Sequence, residues 1–80
     1  METPAIIAKL KAALYSVAPE AEGEELENQT SLQDQLDLDS VDIMNYVMKV
    51  QEEFQVEIPN QEYKTFLTID GATAYLQQKA

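Results

Sequence analysis

The sequence predicts an all-α protein built of three main helices and a short fourth. Apolar residues recur at spacings of three and four in three separate stretches. No alternating strand pair joined by a hairpin turn occurs anywhere. The 80 residues are 45% apolar, the share of a folded chain rather than a disordered one despite the charge. So short a chain has room for one small domain, expected to span residues 1–80.

The first helix is expected from about Thr3 to Val17. Thr3 suits the N-cap and Pro4 the first helical position, where its missing N–H costs nothing. Ile6, Ile7, Leu10, Leu14 and Val17 form one apolar face, and Pro19 ends the helix. From Ala18 to Asp39 no period is sustained. The acidic run Glu20–Glu27 reads as solvated loop in preference to a functional acidic patch, while Leu26, Leu32, Leu36 and Leu38 read as anchors pinning the connection across a core. A connection of roughly 20 residues is long for a compact domain, so a short helical turn is expected within it.

The second helix should begin at Asp39 or Ser40 and reach about Phe54. Asp39 as N-cap with Asp42 three residues on approximates a capping box, built with a shorter acid than usual. Val56–Pro59 reads as extended, because Pro59 biases Ile58 away from helix. A short helix is expected around Gln61–Phe66. The last runs from Ile69 or Asp70 to Gln77, with Ala72, Tyr75 and Leu76 on its inner side.

Composition excludes several kinds of function. Fifteen acids against five lysines leave a formal charge of −10. That charge repels phosphate backbones, so no nucleic acid is expected as partner, and basic protein surfaces are. Without cysteine there is no disulfide and no thiolate metal site. Without histidine, imidazole ligation and His-based acid–base catalysis go too. Asp37, Asp39 and Asp42 do not form an EF-hand loop, which needs a central Gly and a closing Glu. A diffuse divalent-cation site among these acids stays open, and no metal ligands are assigned. The N-terminal stretch is too short in apolar residues for a signal peptide or membrane span. A soluble, cytoplasmic protein is therefore expected, and the starting Met and short ends suggest a free-standing one.

Two apolar stripes share the second helix. Ile43, Val47, Val50 and Phe54 fall on one narrow stripe at about 100° per residue and read as core. Val41, Met44 and Met48 form another, bordered by Asn45 and Glu52. This second stripe either packs beneath the long loop or docks partners, its flexible methionines fitting different surfaces. Ser40 opens the helix within Leu36-Asp37-Leu38-Asp39-Ser40-Val41-Asp42. The ordinary role of a serine there is a cap. A helix start also presents free N–H groups and the positive dipole end, which tolerate a phosphate ester on the hydroxyl. With no His and no neighbouring Lys, nothing activates Ser40 as a nucleophile. Any chemistry on it belongs to another enzyme.

Leu36–Asp42, followed by Phe54, Ile58 and Pro59, resembles the acyl carrier protein family, whose attachment motif reads Asp-Ser-Leu within a Leu-Gly-x-Asp-Ser-Leu-Asp run. The likeness continues through Gln51-Glu52-Glu53-Phe54, Val56-Glu57-Ile58-Pro59 and Leu67-Thr68-Ile69-Asp70. Upstream it includes Thr30-Ser31-Leu32 with Asp34 and Leu36, so it covers nearly the whole chain. The resemblance implies a small four-helix bundle with a long loop between helices one and two. It implies that Ser40 carries a 4′-phosphopantetheine arm, installed from coenzyme A by a phosphopantetheinyl transferase. Acyl groups would ride on the arm's thiol as thioesters, in fatty-acid, polyketide or specialised lipid biosynthesis, with no enzyme activity in the carrier. Asp39, Asp42 and Glu52 would meet basic patches on acyl-transferring or acyl-modifying enzymes, with Val41, Met44 and Met48 as apolar contacts. Val50, Phe54, Ile58, Phe66 and Ala72 would face an acyl pocket, and the protein would be a monomer. The lack of cysteine fits, since the working thiol comes from the cofactor.

The sequence departs from the family pattern at several places. Asp37 replaces the usual Gly, which bears on the backbone angles of the loop. Val41 replaces Leu. Asn45 and Gln51 stand where acids are frequent, and Tyr46 and Phe66 are bulkier than usual. Together these suggest a specialised carrier rather than the housekeeping one. Two other readings stay beside it: an unmodified acidic protein that binds a basic partner by charge, and a peptidyl or aminoacyl carrier.

Overall fold

Helix α1 (Thr3–Val17) buries Ile6, Leu10, Ala13 and Leu14 along one face. In this computed structural model, which describes residues 2–23 and 25–79, Glu2 and not Thr3 occupies the N-cap position. Thr3 is already helical, and its hydroxyl accepts instead from the Gln77 side chain at the far end of the sequence. Pro4 therefore sits second in the helix, still among the positions whose N–H has no partner within it. The helix stops at Val17, and the Ala18 N–H closes on the Leu14 carbonyl at 2.7 Å just before Pro19.

The long connection holds two short helical pieces where one was expected. Pro19–Gly23 forms a 3₁₀ turn against α1, burying Ala21, and α2 spans Leu32–Leu36. Leu32 and Leu38 are buried while Leu26 and Leu36 are half-buried, so the leucines do anchor the loop to the core. Gln35 clamps the intervening backbone. Its carboxamide accepts from the Glu27 N–H (2.6 Å) and donates to the Glu27 and Thr30 carbonyls (2.8 Å each). The Asp70 N–H donates to the Asn28 carbonyl at 2.9 Å, tying the loop to the start of the last helix.

Helix α3 (Ser40–Phe54) begins as the sequence indicates. Asp39 Oδ1 accepts from the Asp42 N–H at 2.9 Å, and Asp42 Oδ2 accepts from the Asp39 N–H at 3.3 Å. This closes a capping box with two short acids. Ile43, Tyr46, Val47 and Val50 are buried. Phe54, expected on the core stripe, is only half-buried, its ring covered by the Lys9 ammonium at 5.5 Å from the centroid. Tyr46, outside that stripe, is fully buried, and its hydroxyl has no hydrogen-bond partner. Burial pushes its phenol up from the ordinary tyrosine value.

Gln55 ends α3 in left-handed backbone, φ 55°. Gln51 Oε1 then accepts from the Ile58 N–H at 2.7 Å, holding the extended segment 56–59. A 3₁₀ helix at Asn60–Leu67, slightly longer than expected, buries Phe66 and leads to α4 (Ile69–Lys79). Thr68 Oγ1 accepts from the Gly71 N–H at 3.0 Å. A Cβ at Gly71 would collide with the Thr65 carbonyl oxygen and lie 2.9 Å from Thr68 Oγ1, so this close approach requires glycine. Helix α1 lies against both α3 and α4, and the 3₁₀ helix packs on α3 and α4. Their inner faces form one core cluster, and the expected all-α bundle is observed.

Candidate functional site

The most informative surface lies where α2 hands over to α3. Helix α2 stops at Leu36 because Asp37 adopts left-handed backbone, φ 56° and ψ 44°. The family's usual Gly would take this conformation freely; Asp is one of the few other residues that tolerates it. The bend lets Leu38 drop into the core and brings Asp39 to the cap of α3. Asp39 therefore takes the capping role that a serine in this motif would ordinarily fill. Ser40 is left exposed as the first residue of α3, between the buried Leu38 and Ile43. The helix is fifteen residues long, so its free N–H groups and positive dipole end lie beside the Ser40 hydroxyl.

A groove with a cavity of about 370 Å³ opens next to Ser40, between α3 and the 3₁₀ helix. Ile43, Met44 and Leu67 supply its apolar lining, and Gln33, Asn60, Tyr63 and Lys64 supply its polar lining. Sequence reasoning singled out Ser40, Ile43 and Met44 but missed the other wall. Tyr63 and Leu67 lie four residues apart, the only local signal; what they face is set by tertiary packing.

Val41, Met44 and Met48, of which Met44 also lines the groove, are 61%, 48% and 54% exposed. The second stripe does not pack beneath the loop. Asp39 and Glu52 are exposed beside it, and Asp42 is half-buried through its part in the capping box. Glu52 lies 3.8 Å from Lys49. Val50, Ile58, Phe66 and Ala72 are buried in the core cluster, with Phe54 packed against it. These five line the core, whereas the groove at Ser40 is lined by other residues. Among the described residues no group of three or more acidic side chains could hold a metal ion.

An exposed hydroxyl at a helix start, with room alongside, fits a phosphodiester-linked arm. A family model described as "Phosphopantetheine attachment site" matches residues 8–76. The chain belongs to this family. Its curated relatives include an acyl carrier protein of Kineococcus radiotolerans, 40% identical over 48 residues, which are 60% of this chain and 59% of that protein. An acyl carrier protein of Renibacterium salmoninarum is 38% identical over 60 residues, 75% of this chain and 69% of that protein. The match thus spans little more than half of the Kineococcus protein's length. The cofactor of the phosphopantetheine attachment family is 4′-phosphopantetheine, and its acyl carrier members are carriers rather than catalysts. No helix among this member's described residues is long and apolar enough to cross a membrane.

Proposed function

We propose that Ser40 is the attachment residue for 4′-phosphopantetheine, and that this protein, working as a cytoplasmic monomer and one domain, carries acyl groups between enzymes docked on α3. The observation that carries this reading is the exposure of Ser40 at the first position of α3 while Asp39 makes the cap. The arm, when bound, supplies a thiol that holds acyl groups as thioesters. No His exists in the chain, so the transferase must take the Ser40 proton. Ser40 Oγ then bonds to the pantetheine-bearing phosphorus of coenzyme A while the pyrophosphate bond breaks and adenosine 3′,5′-bisphosphate leaves. The α3 N-terminus favours the resulting phosphodiester through its free N–H groups and dipole.

Partner recognition is assigned to the exposed Val41, Met44 and Met48, with Asp39, Asp42 and Glu52 at their borders. Methionines adapt to differently shaped partners, and the acids select basic patches on the transferase and on acyl-handling enzymes. Long acyl chains would enter the core against Val50, Phe54, Ile58, Phe66 and Ala72. Fatty-acid, polyketide and specialised lipid synthesis all use such a carrier. The smaller Val41 and the uncharged Asn45 and Gln51 favour a specialised one.

Intact mass after incubation with coenzyme A and a broad-specificity transferase tests the assignment. One added phosphopantetheine is expected on the wild type and none on Ser40→Ala. Addition to Ser40→Ala would sink the residue assignment. No addition to the wild type with two unrelated transferases would favour the unmodified, charge-docking reading.

A further inference from the structure

We propose that Lys64 is a binding residue for the arm, its ammonium engaging the phosphodiester on Ser40 and drawing the arm into the groove between α3 and the 3₁₀ helix. The inference rests on the assignment of Ser40 above. The chain carries fifteen acids and five lysines, yet the groove lining contains one lysine and no acid. Three of the other lysines are engaged elsewhere: Lys9 covers Phe54, Lys79 covers Tyr75 and Lys49 pairs with Glu52, while Lys11 lines a different cavity beside Leu26 and Glu27. Among the described residues Lys64 has no ion-pair partner within 4.0 Å. The acid of its own segment, Glu62, accepts a hydrogen bond from the Thr65 hydroxyl at 3.4 Å.

A phosphodiester on Ser40 adds a negative charge within three residues of Asp37, Asp39 and Asp42. Repulsion from those acids and attraction from Lys64, which lines the same groove as Ser40, both favour the groove and both weaken as added salt shortens the Debye length to about 10 Å and below. The groove offers what the rest of the arm needs. Gln33, Asn60 and Tyr63 can hydrogen-bond its amides, and Met44 and Leu67 can contact its methyl groups. Seating the arm there keeps Val41 and Met48 uncovered for partners. Lys64 would thus hold the arm on one flank of α3 and leave Val41 and Met48 on the other to dock the enzyme, with Met44 shared at the edge between them.

The test uses ¹⁵N-labelled protein loaded by a transferase with coenzyme A, malonyl-coenzyme A or butyryl-coenzyme A, with intact mass verifying each product. Failure to load with two unrelated transferases would refute the Ser40 reading and is visible before any spectrum is taken. Conversion of apo to holo wild type is expected to shift amides across residues 60–67 as well as those next to Ser40. In Lys64→Gln the shifts near Ser40 should persist while those at 60–67 fall at least twofold; Lys64→Arg should restore them. High salt should weaken the wild-type response. Unmoved amides at 60–67 in the wild type, or equal movement in Lys64→Gln, would overturn the proposal. A response confined to the malonyl form would overturn it too, by showing that Lys64 answers a cargo carboxylate instead.

Discussion

Three residues are in unfavourable conditions that single substitutions can relieve. Asp37 and Gln55 both hold left-handed backbone, φ 56° and 55°, which costs most side chains roughly 1–2 kcal/mol. Asp offsets part of that cost with its short polar side chain, and Gln does not. Gln55→Gly should therefore raise stability by about 1 kcal/mol and Asp37→Gly by less, read from urea denaturation midpoints. A lower midpoint for Gln55→Gly would mean that its side chain contributes more than its backbone costs. Tyr46 is the third. Its buried hydroxyl lacks a partner, and such a group costs about 1–3 kcal/mol. Tyr46→Phe is expected to be more stable by about 1 kcal/mol, and a loss would point to a buried water holding the hydroxyl. The pH dependence follows from the same burial. The native phenol is raised above its unfolded value, so above about pH 10 the unfolded state releases a proton that the native state keeps. Stability contributed at neutral pH is lost as pH rises through that range, and Tyr46→Phe should flatten this part of the alkaline decline.

At the scale of elements, legibility followed the range of the interactions. The start of helix α3 could be placed to within a residue because it is a contact between Asp39 and Asp42, three positions apart. The cap of α1 could not, because the Thr3 hydroxyl is taken by Gln77 from the other end of the chain. The two five-residue pieces of the long connection are too short to display a helical period, although the leucine anchors of the connection were plain. Ser40 and the methionine stripe were legible; Tyr63 and Lys64 were not, since nothing local tells the 3₁₀ helix which side of α3 to meet. Exposure of the stripe leads to a prediction about this one element. Met48→Asp places a charge on a surface already 54% exposed, so the far-UV circular dichroism should be unchanged. Binding to a cognate acyl-handling enzyme should weaken at least tenfold, chiefly through faster dissociation. Glu52→Lys at the border should instead slow association several-fold and reduce its salt dependence. Loss of helix in Met48→Asp would show that the stripe supports the core, and unchanged kinetics in Glu52→Lys would place that acid outside the interface.

Over the whole molecule, charge acts on folding and on docking with opposite signs. A net −10 on 80 residues repels itself most in the compact state, where the carboxylates are closest together. The ion pairs do little to offset it: among the described residues the only one joins Lys49 to Glu52 at 3.8 Å, on the surface, where such a pair is worth about 0–1 kcal/mol. Added sodium chloride should therefore raise the melting temperature, steeply while the Debye length shrinks from about 30 Å to about 10 Å and slowly beyond. A gain of about 1 kcal/mol would appear as roughly 4–8 °C for a chain of this size. Docking on a basic partner runs the other way, because the same ions screen the attraction between Asp39, Asp42, Glu52 and the partner's cations. Thermal melts and association rates taken over one salt series should thus move in opposite directions. A melting temperature that falls with salt would mean that local attractions outweigh the net repulsion. An association rate indifferent to salt would leave the methionine stripe to carry recognition alone.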